Sequence, residues 1–244
     1  MYSAILLKQN PAIKVIHVID TDNSLTGPIY DIGQIDTSTV IMHYKRNSII
    51  NALHDIDIVA LMDETHFSMG NKEPFYQFES SSNYVKNITE CIINTCPKAL
   101  IAVFTRPVTA TLPLISEICK LSGTWNPNKI IGSASLESMR ISAMEQQYML
   151  INQLRSVDKY LYGSETKGPT LSSGLAAAKF ISTLINGFKD QSISIGSAYV
   201  RSDIFPFCHY MTSQIQFGPN GIQRNFGFPK VSSSEILLIE EAAV

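Results

Sequence analysis

Four short runs of apolar, mostly β-branched residues constrain the fold of this chain more than any other feature. They span residues 14–20, 57–63, 99–105 and 129–133, and the run at 14–20, KVIHVID, ends in an acid. Apolar runs of this length without polar alternation are typical of parallel strands that helices cover on both faces. We therefore expect each run to be a buried parallel strand.

Segments with helical periodicity separate these runs. Residues 75–95 and 111–121 carry apolar residues at roughly helical spacing. Strands that alternate with helices imply right-handed crossovers and a parallel sheet. The first 140 residues are accordingly predicted to form an α/β unit.

The last hundred residues have a different pattern. The predicted elements are a long helix, a helix packed closely through the small residues Gly174–Ala178, an alternating strand, a hairpin turn and a final helix opened by a capping box of Ser232 and Glu235. Apart from the capping box, they span residues 141–162, 171–188, 192–200 and 218–221. This part is predicted to be an α+β unit.

Composition excludes several classes of function. The chain has 244 residues, 45% hydrophobic and 16% charged, which is typical of a globular protein. A formal net charge of −2 gives no basic footprint for nucleic acid. No apolar run is long enough to span a bilayer, so we expect no membrane insertion. The four cysteines lack metal-binding spacing and are predicted to be reduced intracellular thiols.

Several motifs carry a resemblance to a known family. Cys96–Arg140 contains the turn TRPVTAT and the helix motif LESMR, and the run KVIHVID ends in Asp20. These stretches resemble those of mitochondrial-type malate dehydrogenases, in the lactate/malate dehydrogenase family. The likeness extends over nearly the whole chain, since residues 170–180 and 221–235 also resemble that family.

The resemblance implies a fold and a division into domains. Residues 1–140 are expected to form a degenerate NAD-binding, Rossmann-like domain, and residues 141–244 a shortened malate-dehydrogenase-like α+β domain. The glycine-rich loop of such a domain lies about 20 residues before its ribose acid, and the central first strand precedes that loop. Neither is found before Asp20. Three explanations stay open: the sheet closes differently, a partner fills the gap, or the protein starts upstream of Met1.

The resemblance also assigns positions in the site. Asp20 stands where an acid binds the adenosine ribose, as at the end of the second strand of a dinucleotide fold. Arg106 and Thr109 replace two asparagines that orient the nicotinamide ribose and the substrate, which makes Thr109 a doubtful cofactor contact. Arg140 matches a substrate arginine. Glu137 replaces the aspartate that orients the catalytic histidine, and is at most vestigial.

Other positions of the implied site carry unsuitable residues. Phe67 and Glu73 stand near the positions of the two arginines that grip the dicarboxylate substrate. The family's base is a histidine in a Gly-His-x-Gly-type turn, but residues 141–169 contain no histidine. Of the five histidines, His66 is the only conceivable substitute. His17 and His54 are expected to be structural or surface residues.

These observations favour a malate-dehydrogenase-like protein without dehydrogenase chemistry, which serves as a scaffold or interaction subunit and needs no cofactor. One alternative is an active NAD-dependent malate dehydrogenase represented by an incomplete sequence. Another is a nucleotide-binding module that relies on Asp20. Residues 29–40 resemble the family's dimer-contact helix and predict a homo- or hetero-oligomer. The family branch is mitochondrial, but the chain shows no presequence, so its compartment stays open.

Overall fold

The structure is a computed structural model. It describes residues 1–20, 25–62, 74–136, 138–139, 170–189, 193–206 and 208–227, together with Ser232 and Ile236. All statements about structure refer to these residues.

Helices and strands alternate in the first part of the chain, and strands dominate the last. The helices are α1 (Tyr2–Lys8), α2 (Thr26–Gly33), α3 (Ile49–Leu53), α4 (Pro74–Thr95), α5 (Val108–Leu121) and α6 (Thr170–Phe188). The strands are β1 (Val15–Asp20), β2 (Val40–Lys45), β3 (Ile58–Leu61), β4 (Leu100–Val103), β5 (Ile130–Ser133), β6 (Ser194–Phe205), β7 (Cys208–Gly218) and β8 (Gly221–Gly227).

The strands form two separate sheets. β1 and β2 pair in parallel, and a second sheet has the order β3-β4-β5-β6-β7-β8. In that second sheet β3, β4 and β5 are parallel, and β6 to β8 are antiparallel. The predicted α/β class and the change from parallel to antiparallel strands are thus confirmed. Because β5 pairs with β6, the two predicted parts share one sheet, and the proposed boundary near residue 140 lies outside the described residues.

Helices cover the six-stranded sheet on both faces. On one face, α4 and α5 contribute Val85, Ile92, Leu112 and Ile115 to a buried cluster with Ile101 of β4. On the other face, Phe180 and Leu184 of α6 pack against Ala102, Ile131 and Ala198. The β4 run is buried along its whole length, because its apolar side chains meet a helix on either side. Of the described helices, none has the length and apolarity to cross a membrane.

The predicted close packing of α6 through small residues is confirmed, and its partner is α1. A Cβ at Gly174 would lie 2.9 Å from Cδ1 and 3.1 Å from Cβ of Tyr2. Leu7 of α1 joins Ala178 and Ile181 of α6 in a third buried cluster. The predicted hairpin is also confirmed, since Gly218 pairs with Gly221, whose φ is +96°.

Some expectations were wrong or lie outside the described residues. β1 is parallel as predicted but is not buried: Val15 is 44% exposed, and among the described strands β1 pairs with β2 alone. In the segment 29–40 the helix ends at Gly33, and β2, which the sequence did not predict, begins at Val40. The predicted helix 141–162 lies outside the described residues. Of the final helix, one helical hydrogen bond from Ile236 to Ser232 is described.

Candidate functional site

The candidate site lies at the carboxyl ends of β1, β3 and β4, the edge at which doubly wound sheets bind their ligands. Asp20 is the last residue of β1. The turn from Thr105 to Pro107 follows β4 and leads directly into α5. The structure thus places Asp20 and the turn with Arg106 at strand ends, and Thr109 just beyond that turn, in the first turn of α5.

Asp20 presents an unpaired carboxylate oxygen. It lies opposite Lys45 in the parallel register of β1 and β2. Its Oδ2 is buried and has no hydrogen-bond partner among the described residues. A buried acceptor without a partner costs roughly 1–3 kcal/mol. A ligand hydroxyl would relieve this cost, as would a partner from residues 21–24, which are outside the description.

His43 of β2 lies near Asp20. The sequence analysis did not select it as a candidate site residue. Its register partner on β1 is Val18, two residues before Asp20. Its Nδ1 lies 3.5 Å from Oγ1 of Thr26, while its Nε2 is buried without a partner among the described residues. No sequence signal marked His43, because the strand that carries it was not recognised.

Two buried threonines hold the turn after β4. The hydroxyl of Thr105 lies 3.2 Å from the carbonyl oxygens of Leu61 and Met62, at the end of β3. The hydroxyl of Thr111 donates to the carbonyl oxygen of Thr105 at 2.7 Å. Both side chains are fully buried. They join the ends of β3 and β4, so their role is to position the turn.

The two residues that replace the family's asparagines differ in their surroundings. Arg106 precedes a cis peptide bond to Pro107, and its carbonyl oxygen accepts a hydrogen bond from Ser81 of α4 at 3.3 Å. Thr109 is exposed in the first turn of α5. The turn is therefore firmly placed, and Thr109 contributes a hydroxyl at the surface where the resemblance implies an asparagine amide.

The remaining predicted site residues cannot be placed. Glu137, Arg140, Phe67, Glu73 and His66 all lie outside the described residues. The predicted changes at the dicarboxylate-binding positions therefore remain predictions.

The other four histidines do not cluster at the turn after β4. His17 Nδ1 donates to the carbonyl oxygen of Ala52 at 2.7 Å, and its ring packs 4.8 Å from that of Tyr44. His54 is exposed and pairs with the neighbouring Asp55 at 2.9 Å. The structural role expected for His17 and the surface position of His54 are confirmed. His209 is exposed in β7.

A shallow pocket lies elsewhere. It has a cavity volume of about 20 Å³ and lies near the amino ends of β4 and β5, with Ala99, Ile101, Cys119 and Ile130 among its lining residues. Burial raises the pKa of Cys119 above its usual value, so its thiol is not activated as a nucleophile. Within the described ranges, no group of three His, Cys, Asp or Glu side chains is arranged to hold a metal ion.

The described residues fit a dinucleotide in part. Asp20 supplies an acceptor suited to a ribose diol. The strand and glycine loop that would hold the pyrophosphate are not among the described residues, and no described strand lies between β1 and β3. A ribose contact without phosphate contacts would bind weakly.

The chain is similar in sequence to known malate dehydrogenases. The chain is 25% identical to the mitochondrial malate dehydrogenase of Caenorhabditis elegans over 279 residues, covering 97% of this chain and 81% of the relative. It is 25% identical to peroxisomal malate dehydrogenase 1 of Arabidopsis thaliana over 285 residues, covering 98% and 79%. No protein-family model matches the chain.

Solved structures show the same fold. Malate dehydrogenase from Salinibacter ruber superposes with a TM-score of 0.78 at 11% identity, covering 99% of this chain and 90% of that one. Malate dehydrogenase from Plasmodium falciparum, in complex with NADH, gives a TM-score of 0.72 at 13% identity, covering 99% and 91%. The chain is therefore similar in sequence to malate dehydrogenases along nearly its whole length, and it has the fold of malate and lactate dehydrogenases.

Proposed function

We propose that this protein is a malate-dehydrogenase-like scaffold or interaction subunit without dehydrogenase activity. The observation that carries the proposal is the lack of a histidine in the segment where the resemblance places the catalytic base. Residues 141–169 contain no histidine, and His17, whose ring nitrogen donates to a backbone carbonyl, is occupied elsewhere. Hydride transfer from a 2-hydroxy acid requires a base within hydrogen-bond reach of the hydroxyl.

The turn after β4 supports the same proposal. Thr105 and Thr111 keep it in place through buried hydrogen bonds, while Arg106 and Thr109 stand at the positions that would orient the nicotinamide and the substrate. The substitutions therefore concern the positions that would touch ligands, and the framework around them is intact. Phe67 and Glu73 extend this pattern in the sequence.

Oxaloacetate-dependent oxidation of NADH by the purified chain tests the proposal. Typical enzymes turn over about 10 times per second, so micromolar protein would reveal even a strongly impaired enzyme. We expect no rate above that of buffer, with the C. elegans mitochondrial enzyme as the active control. A rate within about a hundredfold of typical turnover would refute the proposal and favour the alternative of an active NAD-dependent malate dehydrogenase.

A second candidate, residual nucleotide binding, is favoured by the unpaired Oδ2 of Asp20. NADH is bound by the relative from Plasmodium falciparum. A single hydrogen bond to a charged group contributes about 1.5–3 kcal/mol, which alone corresponds to binding weaker than about 1 mM. Titration with NADH, followed by its fluorescence, would support this candidate if saturation occurred and was lost in Asp20→Ala. Unchanged binding by that variant would exclude Asp20 as the contact.

A further inference from the structure

The two-stranded sheet of β1 and β2 has one apolar face that is partly open to solvent. Register neighbours in a sheet project to the same side, so this face carries Val15, His17, Val40, Met42 and Tyr44. The short helix α3 covers part of it, and its Ala52 carbonyl oxygen accepts the hydrogen bond from His17. Val40 and Met42 of β2 are nevertheless 49% and 43% exposed. The apolar surface therefore continues onto the outer strand of the sheet.

The opposite face of the same sheet is covered. Ile16 of β1 packs on the buried cluster that joins α1 and α6. A Cβ at Gly33, the last residue of α2, would lie 3.9 Å from Cγ2 of Ile41 in β2. The exposed apolar side chains of β2, Val40 and Met42, are thus on one face alone.

The outer edge of β2 presents backbone groups that no described strand pairs with. In the described part of the chain, β2 is hydrogen-bonded to β1 alone. The Val40 N–H donates to the Lys14 carbonyl oxygen at 2.9 Å. Successive residues of a strand direct their backbone groups to alternate sides, so the even-numbered residues of β2 face β1. The N–H and C=O groups of Ile41 and His43 consequently point away from β1.

This edge lacks the features that normally prevent strand addition. Proteins usually protect an exposed edge with lysine, proline or a β-bulge. The segment from Val40 to Tyr44 contains no proline and no lysine, arginine or carboxylate, and its register with β1 is regular. The one charged side chain of the strand is Lys45, at its carboxyl end. The middle of β2 can therefore accept a further strand.

A second copy of β2 fits this edge in an antiparallel register. With Met42 of both copies at the two-fold axis, Ile41 of each copy lies opposite His43 of the other, and their outward N–H and C=O groups pair. On the apolar face, Val40 of each copy then lies opposite Tyr44 of the other. A β-branched residue opposite an aromatic residue is a favourable cross-strand pair. Because the interface is symmetric, each of these contacts occurs twice.

The charges around β2 favour the same arrangement. Lys45 ends the strand, and the exposed Asp36 precedes it. In an antiparallel pair the two lysines lie at opposite ends, and each is directed towards the end of the other strand that Asp36 precedes. A parallel pair would place lysine beside lysine, and like charges directly opposite each other are destabilising. Charge therefore selects the antiparallel orientation.

We propose that the outer edge of β2 binds β2 of a second copy of this chain, in antiparallel orientation, and forms a continuous sheet of the order β1-β2-β2-β1. This inference rests on the interaction role proposed above and identifies the surface and the partner. Two paired strands of six residues form a small contact beside the roughly 1,200–2,000 Å² that stable interfaces bury. We therefore expect a weak dimer, with a dissociation constant of about 0.1–1 mM.

Sedimentation equilibrium of the full chain, at concentrations around this dissociation constant, measures the association. Met42→Lys places like charges opposite each other at the two-fold axis and should weaken association at least about tenfold. Val15→Lys is the matched control, because Val15 is on the same face with 44% exposure but belongs to β1; it should associate like the parent. Tyr30→Lys, on the exposed surface of α2, tests association through that helix instead.

A mixture of two variants tests the register. Met42→Glu should fail to associate with itself for the same reason as Met42→Lys. An equimolar mixture of the two should associate at least as tightly as the parent, because a lysine then lies opposite a glutamate. Mixing would not restore association if either variant were misfolded, and circular dichroism of each variant verifies its fold. Failure of two folded variants to associate when mixed would overturn the proposed pairing.

Amide exchange measured residue by residue supplies an independent readout. In the dilute protein, we expect the Ile41 and His43 amides to exchange rapidly and those of Met42 and Tyr44 slowly; high concentration should slow the first pair. The proposal is overturned if the parent does not self-associate, if Met42→Lys associates like the parent, or if either other lysine variant weakens association as much. Protection of the Ile41 and His43 amides in the monomer would also overturn it.

NADH oxidation is a separate readout. Activity in a chain that self-associates through β2 would refute the inactive scaffold alone. An inactive chain that stays monomeric would refute this inference alone.

Discussion

The substitution Gly187→Ala tests how tightly α6 is seated on the sheet. A Cβ at Gly187 would lie 2.6 Å from the Phe217 Cβ, 2.8 Å from its carbonyl carbon and 2.9 Å from its carbonyl oxygen. Phe217 is held in β7 by pairing with Ser194 of β6 and Ile222 of β8. Because backbone atoms fixed on two sides cannot move aside cheaply, either α6 or the sheet must shift.

The expected magnitude follows from two opposing effects. Overpacking costs about 1–3 kcal/mol, and alanine stabilises a helix by about 1 kcal/mol over glycine. The contact with backbone favours the upper half of the first range, so we expect a net loss of about 1–2 kcal/mol in the free energy of unfolding. For a chain of this size the midpoint of thermal unfolding should fall by about 2–8 °C.

Gly27→Ala in α2 is the matched control, since a Cβ there would meet nothing within 4 Å. Its midpoint should stay unchanged or rise, because the propensity effect acts without a clash. Both variants are compared with the parent protein by thermal and urea denaturation. If Gly187→Ala is as stable as the parent, the close approach of α6 to β7 is incorrect and the reasoning fails.

Three further predictions concern a buried hydroxyl and the cysteine thiols. Thr105→Val keeps the shape of the side chain but removes the hydroxyl that bridges to β3; urea denaturation should show a loss of about 1–2 kcal/mol, and an unchanged midpoint would contradict this role. Burial raises the pKa of Cys96 from 9.0 to about 11. The buried thiol therefore contributes to stability below pH 9, and this contribution is lost as pH rises towards 11. Cys96→Ala should flatten the decline in unfolding free energy between pH 9 and pH 11, and an identical decline in the variant and the parent would contradict this prediction. Cys96 and Cys119 are buried whereas Cys91 and Cys208 are partly exposed, so a thiol reagent should modify the latter pair first in the native protein and all four on unfolding; equal rates for all four would contradict the burial pattern.

The sequence predicted those strands that have a distinctive pattern of apolar side chains. The run that contains β4 is apolar throughout and is buried along its length, so its pattern was sufficient. β2, with the sequence VIMHYK, mixes polar and apolar residues, and its burial alternates irregularly between exposed and half-buried. Its strand state depends on pairing with β1, which local periodicity does not reveal.

Burial of β1 was predicted wrongly for a related reason. Its apolar sequence is that of a central parallel strand, whereas among the described strands it pairs with β2 alone. The apolar composition of a strand indicates that it is suited to burial. It does not indicate whether neighbouring strands are present to bury it.

At the candidate site, the sequence located Asp20 through a family resemblance but missed the residues that hold the turn. The Thr105 hydroxyl bonds to Leu61, 44 residues earlier in the chain. Contacts over such separations depend on the assembled sheet. The buried, unpaired ring nitrogen of His43 was hidden for the same reason, since the strand that carries it was not recognised.

The two kinds of residue at the turn after β4 are subject to different physical constraints. Thr105 and Thr111 are buried and hydrogen-bonded, so replacing either would cost about 1–3 kcal/mol whether or not the protein catalyses a reaction. Thr109 is exposed, and substitutions at exposed positions usually change stability by no more than about 0.5 kcal/mol. The stability of the fold alone therefore disfavours substitutions at Thr105 and Thr111. It does not restrict Thr109, whose replacement would matter only if a ligand bound there. The turn resembles that of malate dehydrogenases at Pro107, Val108 and Thr111 and departs from it at Arg106 and Thr109, a pattern that the proposed loss of dehydrogenase chemistry would explain.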